Sequence, residues 1–252
     1  MGADKESDRK SGNRFQQESK YSRDGMKEWS PEWGDQVSLY KSYPDADSVV
    51  LPDPQIKGGP PVWEVIAARR SYRDFLEEPI DLAALSQLLW SSQGITARTR
   101  NFFFRSAPSA GALYPVETYV ACHHVEGAQM GLFHYNVPEH KLELLVAGDI
   151  CDRLMNAGLM QPVLSESSVV FIWTAVVKRS SWKYHQRAWR YIYLDCGHLA
   201  QNLHLAAEAL GLGCCLTGAF FDDEVNELVG VDPVEEPVIY MCAVGPRDRF
   251  DE

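Results

Sequence analysis

The sequence predicts an α+β fold, and three features of its pattern support this class. Apolar residues recur at helical spacing near residues 61–94 and again over the longer stretch 187–210. Strand-like apolar runs lie between and after these stretches, and two of them flank a turn at residues 137–140. Helices and strands do not alternate regularly, which excludes a repeated βαβ array. We therefore expect one α+β domain without internal repeats.

The helices are predicted by residues that begin and end them. Pro61 is a good first helical residue, and the short helix that it opens is expected to end at the arginines that follow residue 68. Asp81 caps a second helix, and Gly94 ends it. Two further helices are predicted, from about Arg187 to Leu210 and from Asp222 or Asp223 onward. The predicted strands cover residues 117–123, 131–135, 141–146, 169–177, 214–217 and 238–244.

The first 60 residues differ in composition from the rest of the chain. Residues 1–28 carry 13 charged side chains and only five hydrophobic ones, too few to fold as an independent unit, which predicts a polar tail. Residues 29–60 are rich in proline and aromatic side chains, which favours extended backbone that wraps a neighbouring domain. We therefore divide the chain into an extension, residues 1–60, and a domain, residues 61–252.

Composition excludes several classes of function. The net charge of -11 makes binding to nucleic acid or to an anionic membrane surface unfavourable. No apolar stretch approaches the roughly 20 residues that span a bilayer. The six cysteines form no Cys-x-x-Cys pair, and five lie in apolar stretches typical of buried thiols, which predicts a reducing, cytoplasmic environment.

Several common functional motifs are absent from the sequence. No Gly-x-Gly-x-x-Gly follows a predicted strand, and neither a Walker loop nor a Gly-x-Ser-x-Gly elbow occurs. His198 and His204 are six residues apart, so on a helix they point about 120° away from each other. No carboxylate is placed to complete a ligand set, and we predict no metal site.

The segment from Arg69 to Arg73 is the first candidate for a ligand site. Arg69, Arg70 and Arg73 provide three guanidinium groups, and Ser71 adds a hydroxyl donor. This donor set suits a phosphate group without a glycine-rich loop. The alternative is that cations at the end of a helix complement its dipole.

A turn of small residues is the second candidate. Ser109, Ala110 and Gly111 follow Pro108 and would let a flat ring system lie against the backbone. An ordinary surface turn is the alternative, because glycine, serine and proline dominate turns for local reasons.

Two further segments carry groups that could act in catalysis or approach a ligand. Lys183 and Tyr184 could transfer protons if their surroundings were suitable; the alternative is a surface on which arginines stack against aromatic rings. The segment Gly211 to Gly218 could bring backbone close to a ligand, although it is also the usual glycine pattern of a helix end and a turn.

Together these segments resemble the nitroreductase superfamily, in particular its branch of SagB-type and thiazole/oxazole-forming dehydrogenases, over about residues 62–247. The motifs that carry the resemblance are Arg-Arg-Ser-x-Arg at 69–73, Leu-Leu-Trp-x-x-x-Gly at 88–94, Pro-Ser-Ala-Gly-Ala at 108–112, Tyr-Pro-x-Glu-x-Tyr at 114–119, Gly-Leu-Phe-x-Tyr at 131–135, Lys-Tyr-x-x-Arg-x-x-Arg-Tyr at 183–191, Asp-x-Gly-His-x-x-Gln-Asn at 195–202, Ala-Leu-Gly-Leu-Gly at 209–213 and Val-Gly at 244–245. The resemblance implies a mostly antiparallel central sheet flanked by helices, in a homodimer that binds FMN at the subunit interface.

The resemblance also implies roles for individual residues. Arg69, Ser71 and Arg73, with Arg70 in the same cluster, would hold the phosphate and ribityl end of FMN, and Arg247 would supply a second cation. The partner chain would contribute Pro108, Ser109 and Ala110, whereas Thr217 and Gly218 would face the reactive edge of the flavin and Gln161 its pyrimidine ring. Gly111 and Leu216, beside these residues, would also bind the cofactor. Lys183 and Tyr184 would assist proton removal. His185 and Trp189 depart from the family pattern, which leaves the substrate open.

Three functions are compatible with this resemblance. The first is a SagB-type FMN-dependent dehydrogenase that oxidises a small or peptide-borne heterocycle. The second is a reductase that uses NAD(P)H to reduce nitroaromatic compounds or quinones. The third is an FMN-binding scaffold without catalytic activity. The shared fold permits all three functions and does not select among them.

Overall fold

The computed structural model describes residues 3–100 and 102–248. Its α-helices are α1 (Ala3–Glu18), α2 (Val62–Ala68), α3 (Leu82–Gln93), α4 (Cys151–Ala157), α5 (Val163–Glu166), α6 (Lys178–Tyr184), α7 (Ala188–Ala209) and α8 (Asp222–Val229). Its strands are β1 (Ser48–Val50), β2 (Ile80–Asp81), β3 (Ile95–Arg98), β4 (Phe103–Arg105), β5 (Val116–Cys122), β6 (Val125–Glu126), β7 (Gly131–Asn136), β8 (Lys141–Ala147), β9 (Val169–Ala175), β10 (Leu212–Thr217) and β11 (Val238–Pro246).

A seven-stranded sheet forms the centre of the fold. Its strand order is β1-β8-β7-β5-β9-β11-β10, and every neighbouring pair is antiparallel. Side chains alternate between the two faces, as strand geometry requires. On β9, Phe171 and Trp173 face the side packed by α3 and α7, whereas Val170 and Ile172 face the side packed by α4, α5 and α8. The prediction of an α+β fold with a mostly antiparallel sheet flanked by helices is confirmed.

The ends of helix α3 show why the sequence predicted this element well. The Asp81 carboxylate accepts a hydrogen bond from the backbone N–H of Ala84 at 2.7 Å, as a helix-capping residue does. The N–H of Gly94 bonds to the carbonyl of Trp90 and closes the last turn. Helix α7 runs over 22 residues and agrees with its predicted span to within one residue at each end. By contrast, the hairpin β3–β4 and the helices α4, α5 and α6 were not predicted.

The extension contains more structure than the sequence predicted. Residues 3–18 form helix α1 where a polar tail was expected, and β1 adds an edge strand to the sheet next to β8. The C-terminal end of α1 contacts α7, because Arg190 donates hydrogen bonds to the carbonyl of Gln16 and to the hydroxyl of Ser19. Ser19 is only 3% exposed. Helix α1 therefore ends against the domain.

No helix in residues 3–100 or 102–248 is both long enough and apolar enough to cross a membrane.

Candidate functional site

The segment from Arg69 to Arg73 lies between strand β10 and the C-terminal half of α7. The backbone N–H of Tyr72 donates to the carbonyl of Cys214 at 3.0 Å, which fixes the segment beside the edge strand. Nε2 of His204 on α7 donates to the carbonyl of Arg70 at 2.8 Å. Burial lowers the pKa of His204, so the neutral imidazole that makes this single donor contact is favoured. The arginines are thus attached to two rigid elements.

The three guanidinium groups of this segment are used differently. Arg70 turns back onto α2 and donates to the carbonyls of Ala67 and Arg69, which is the dipole-complementing role considered for the whole cluster. In contrast, the guanidinium groups of Arg69 and Arg73 have no hydrogen bond or ion pair within the described part of the chain. Arg69 lies near His204, and Arg73 lies near Cys215 on β10. Two cations therefore remain open to an anionic ligand.

Arg247, predicted as a second phosphate cation, is held by its own chain. It forms an ion pair with Glu208 on α7 at 2.8 Å and donates to the carbonyl of Leu212. Its guanidinium also bonds to the hydroxyl of Tyr72 and lies 3.9 Å from the centroid of that ring. The structure places Arg247 beside the segment 69–73, with its charge already compensated.

Leu216, Thr217 and Gly218 occupy the end of β10 and the turn after it. Among the described residues, a Cβ at Gly218 would meet only the ring of Tyr240, at 3.5 Å, so the backbone there is open to approach. Gln161 belongs to the same region, since its amide donates to the carbonyl of Ala219 at 2.7 Å. The structure thus brings these four predicted residues together.

The small-residue turn at 108–111 is attached to α7 by one buried carboxylate. Asp195 accepts a hydrogen bond from the hydroxyl of Ser109 at 2.6 Å and from the backbone N–H of Ala110 at 3.2 Å. The hydroxyl of Ser109 in turn accepts from the N–H of Tyr114. Burial raises the pKa of Asp195, and these donors oppose that shift. The turn is therefore a fixed feature of the fold.

Lys183 and Tyr184 converge on this turn. Gly111 has a φ of +66°, and a Cβ added there would lie 2.6 Å from the hydroxyl of Tyr184 and 2.8 Å from Nζ of Lys183. Only glycine leaves room for both groups in this backbone conformation. Nζ of Lys183 also lies 5.3 Å from the centroid of the Tyr184 ring. An amine and a phenol thus meet at an open stretch of backbone.

A buried ion pair fixes helix α6, which carries Lys183 and Tyr184. Arg179 is 2% exposed; its Nη1 lies 2.5 Å from Oε1 of Glu117 on β5 and donates to the carbonyl of Tyr114. Glu117 also lies 3.0 Å from Nε2 of His134. Burial would raise the pKa of Glu117, but Arg179 and His134 together lower it to about 2. The ion pair therefore ties α6 to the chain that follows the turn.

The predicted residues fall into two groups along α7. We call Arg69, Ser71 and Arg73, with residues 216–218 at the end of β10, the arginine half-site. We call Gly111, Lys183 and Tyr184 the glycine half-site. His204 bonds to Arg70, between the arginines of the first half-site, and Asp195 bonds to Ser109 and Ala110, next to Gly111 of the second; these two residues are nine positions apart on one helix. At 1.5 Å per residue the two contacts are separated by about 13 Å along the helix axis.

The sequence analysis assigned no role to Asp195 or Arg179. Both are charged side chains in apolar surroundings, and Asp195 shares the buried face of α7 with Leu199, which is the signal that could have identified it. Leu159 and Met160 were missed as well. They precede Gln161, they have φ values of 58° and 56°, and they are 43% and 62% exposed. Residues in such strained backbone conformations cluster at functional sites, and these two lie next to Gln161.

Comparison with known proteins identifies the family of this chain. Residues 66–246 match the model of the nitroreductase family. The chain belongs to the nitroreductase family. Members of this family are oxidoreductases that generally depend on FMN.

Individual members differ in how much of their length this nitroreductase-family chain matches. It is 33% identical over 198 residues to "Putative nitroreductase MJ1384" of Methanocaldococcus jannaschii, covering 78% of this chain and 96% of the relative. It is 31% identical over 153 residues to the trifolitoxin-processing protein TfxB of Rhizobium leguminosarum bv. trifolii, covering 59% of this chain and 41% of that protein. The crystal structure of a "putative nitroreductase" from Anabaena variabilis matches with a TM-score of 0.76 and 29% identity, covering 92% of this chain and 45% of that one.

Proposed function

We propose that this protein is an FMN-dependent dehydrogenase of the SagB type, which oxidises a small or peptide-borne heterocyclic substrate. The observation that carries the proposal is the convergence of the Lys183 amine and the Tyr184 hydroxyl on the side-chain-free face of Gly111. Oxidation of a C–H bond requires a group that takes the proton, and a phenol beside an amine is suited to that task. The likeness to a trifolitoxin-processing protein supports a substrate of this kind.

The arginine half-site fits the phosphate of FMN. Arg69 and Arg73 have no partner among the described side chains, and Ser71 is exposed beside them. Two planar cations and one hydroxyl complement a phosphate dianion. Arg70 and Arg247 are already bonded to their own chain, so we assign phosphate binding to Arg69 and Arg73 first. The open backbone at Gly218 would accept the flavin ring.

A homodimer would complete the site. We propose that the glycine half-site of one chain, with Pro108, Ser109 and Ala110, faces the arginine half-site of its partner. Helix α2 leaves Val62, Trp63 and Ile66 exposed, and Trp63 is 78% exposed. Apolar side chains grouped in this way mark a protein–protein contact, and a second copy of the chain is the occupant that we propose.

Bound FMN would supply the hydride acceptor of the reaction. The chain itself holds and moves the proton. Tyr184 would accept the proton as the phenolate and become the neutral phenol, and the neighbouring ammonium of Lys183 would stabilise the phenolate before the transfer. Asp195 and Arg179 keep the turn and helix α6 in place, so that neither group has to reorganise during the reaction.

The proposal is tested on the purified protein. We expect a yellow protein that releases FMN on denaturation, forms a dimer in sedimentation and converts a synthetic thiazoline to the thiazole. Tyr184→Phe and Lys183→Ala should each lower turnover while bound FMN is retained. Lys178→Ala is the control, because this lysine lies on the same helix, is 56% exposed and forms its ion pair with the exposed Glu235. Full turnover by Tyr184→Phe and Lys183→Ala would refute their role.

An NAD(P)H-dependent nitro or quinone reductase is the second candidate function. The likeness to the Methanocaldococcus jannaschii protein, which spans nearly all of that relative, favours it. Rapid bleaching of bound flavin by NAD(P)H, with reduction of a nitroaromatic compound and no oxidation of the thiazoline, would select this function over the dehydrogenase.

A further inference from the structure

The residue directly after Tyr184 has a strained backbone. His185 caps helix α6 with φ of 49° and ψ of −135°. Glycine adopts this conformation freely, whereas a residue with a side chain pays a strain penalty and keeps it only when its surroundings hold it there. The direction in which α6 ends, and with it the position of Lys183 and Tyr184, therefore depends on what holds His185.

Residues of the N-terminal extension hold His185 in this conformation. Nε2 of His185 donates to the carbonyl of Ser30 at 3.0 Å, and Nδ1 lies 3.5 Å from the carboxylate of Glu32. The Trp29 ring stands edge-on to the imidazole, with centroids 6.4 Å apart. The N–H of Glu32 also donates to the carbonyl of Trp182 at 2.7 Å. Three residues of the extension thus contact the side chain of His185.

The extension also reaches the other side of Tyr184. The Tyr184 ring packs edge-to-face on Tyr191, with centroids 4.7 Å apart, and Tyr191 lies beside Tyr21, whose pKa burial and this neighbour raise. The Arg187 guanidinium lies 4.6 Å from the centroid of the Tyr21 ring and donates to the carbonyl of Ser19. Arg187, one of the cations in the segment 182–191, therefore serves to attach the extension.

We propose that residues 19–33 of the extension, which we call the covering segment, are part of the active site and position Lys183 and Tyr184 by holding His185 in its strained conformation. His185 is then a positioning residue, and the covering segment is required for proton transfer but not for binding of the flavin phosphate. This inference rests on the proposed function for the role of Lys183 and Tyr184.

The test removes the contacts that Trp29 and Glu32 make with His185, both in the wild-type protein and in the His185→Gly variant. The double substitution Glu32→Ala and Trp29→Leu is made in the wild-type protein and in the His185→Gly variant. Each protein is assayed with the substrate that the wild type converts, which is either the thiazoline or NAD(P)H together with a nitroaromatic compound. In the wild-type background we expect the double substitution to lower kcat about tenfold and to change KM by less than about twofold. This loss of kcat is smaller than the ~100-fold loss that a 1 Å misplacement of a catalytic group can cause. In His185→Gly the same pair should lower kcat by less than about twofold, because glycine keeps the conformation unaided.

Two measurements do not require bound flavin: a 19F resonance at position 184 and the rate of tryptic cleavage. The 19F resonance of 3-fluorotyrosine placed at position 184 should shift on the double substitution in the wild type and not in His185→Gly. Tryptic cleavage at Arg23 and Lys27, both exposed, should accelerate in both backgrounds, because the covering segment is released in both. Glu28→Ala, an exposed acidic residue four positions before Glu32, is the control for the 19F measurement and should leave that resonance unchanged.

Equal losses of kcat in both backgrounds, or no loss in either, would overturn the inference, as would a 19F resonance that does not move in the wild-type background. If the protein binds no FMN and converts no substrate, the proposed function fails. The 19F comparison between the two backgrounds still decides whether His185 and the covering segment position Tyr184.

Discussion

The two half-sites are built in opposite ways. In the glycine half-site the chain satisfies its own polar groups: Asp195 bonds the turn, Arg179 bonds Glu117, and Gly111 leaves room for Lys183. In the arginine half-site Arg69 and Arg73 are left without a described partner. The difference shows that one part is preorganised for chemistry, whereas the other keeps its charges for a ligand.

Removing the buried carboxylate beneath the glycine half-site should have the largest effect. Glu117→Gln leaves Arg179 buried without its ion-pair partner, which typically costs about 3–5 kcal/mol of unfolding free energy. Urea denaturation at neutral pH measures this loss. Glu126→Gln, an exposed glutamate on β6, is the control. A loss below about 1 kcal/mol would contradict the view that this half-site is preorganised by the ion pair.

The same carboxylate gives stability a defined pH dependence. The folded pKa of Glu117 is about 2, below its ordinary value of 4.5, so the unfolded chain binds the proton first as pH falls. Its contribution is complete above pH 4.5 and is lost as pH falls towards 2. The stability difference between wild type and Glu117→Gln should therefore narrow over that window and be constant from pH 5 to 7.

A side chain at Gly111 should impair turnover, which depends on the glycine half-site, but not FMN binding, which depends on the arginine half-site. In Gly111→Ala the new methyl group displaces the Tyr184 hydroxyl and the Lys183 amine, and we expect turnover to fall about a hundredfold. FMN bound through the arginine half-site should remain, as absorbance will show. Gly230→Ala is the control: its φ is 77° with nothing within 4 Å, so it carries backbone strain without a clash. Equal activity of the two variants would refute the steric argument.

Substitutions in the arginine half-site should weaken binding instead. Arg69→Ala or Arg73→Ala removes a charged donor to phosphate and should raise the Kd for FMN by about tenfold to a hundredfold, measured by flavin fluorescence. Arg70→Ala is the matched control. Its guanidinium bonds to helix carbonyls, so the Kd should stay within about twofold while stability falls by about 0.3–1 kcal/mol. A larger effect on Kd from Arg70 than from Arg69 would reverse our assignment.

Local signals explain which elements were predictable. Asp81 and Gly94 bracket α3, and the apolar runs on either side of residues 137–140 are long enough to be recognised as paired strands. Helix α6 has no such signal: it is seven residues long, its N-terminus has no side-chain cap, and its position depends on Arg179 reaching Glu117, 62 positions earlier. A contact at that distance leaves no periodic pattern in either segment.

The sequence by itself determines which chemical groups the candidate site can offer, because residue types determine which groups donate, accept or carry charge. Arginines near a serine are a candidate anion site, and a lysine next to a tyrosine is a candidate pair for proton transfer. Only the folded chain decides which of those groups are available. Arg70 and Arg69 are neighbours of the same type, yet one bonds to α2 and the other stays open. The reason is physical: availability depends on what surrounds each group in space, and packing between distant segments sets those surroundings.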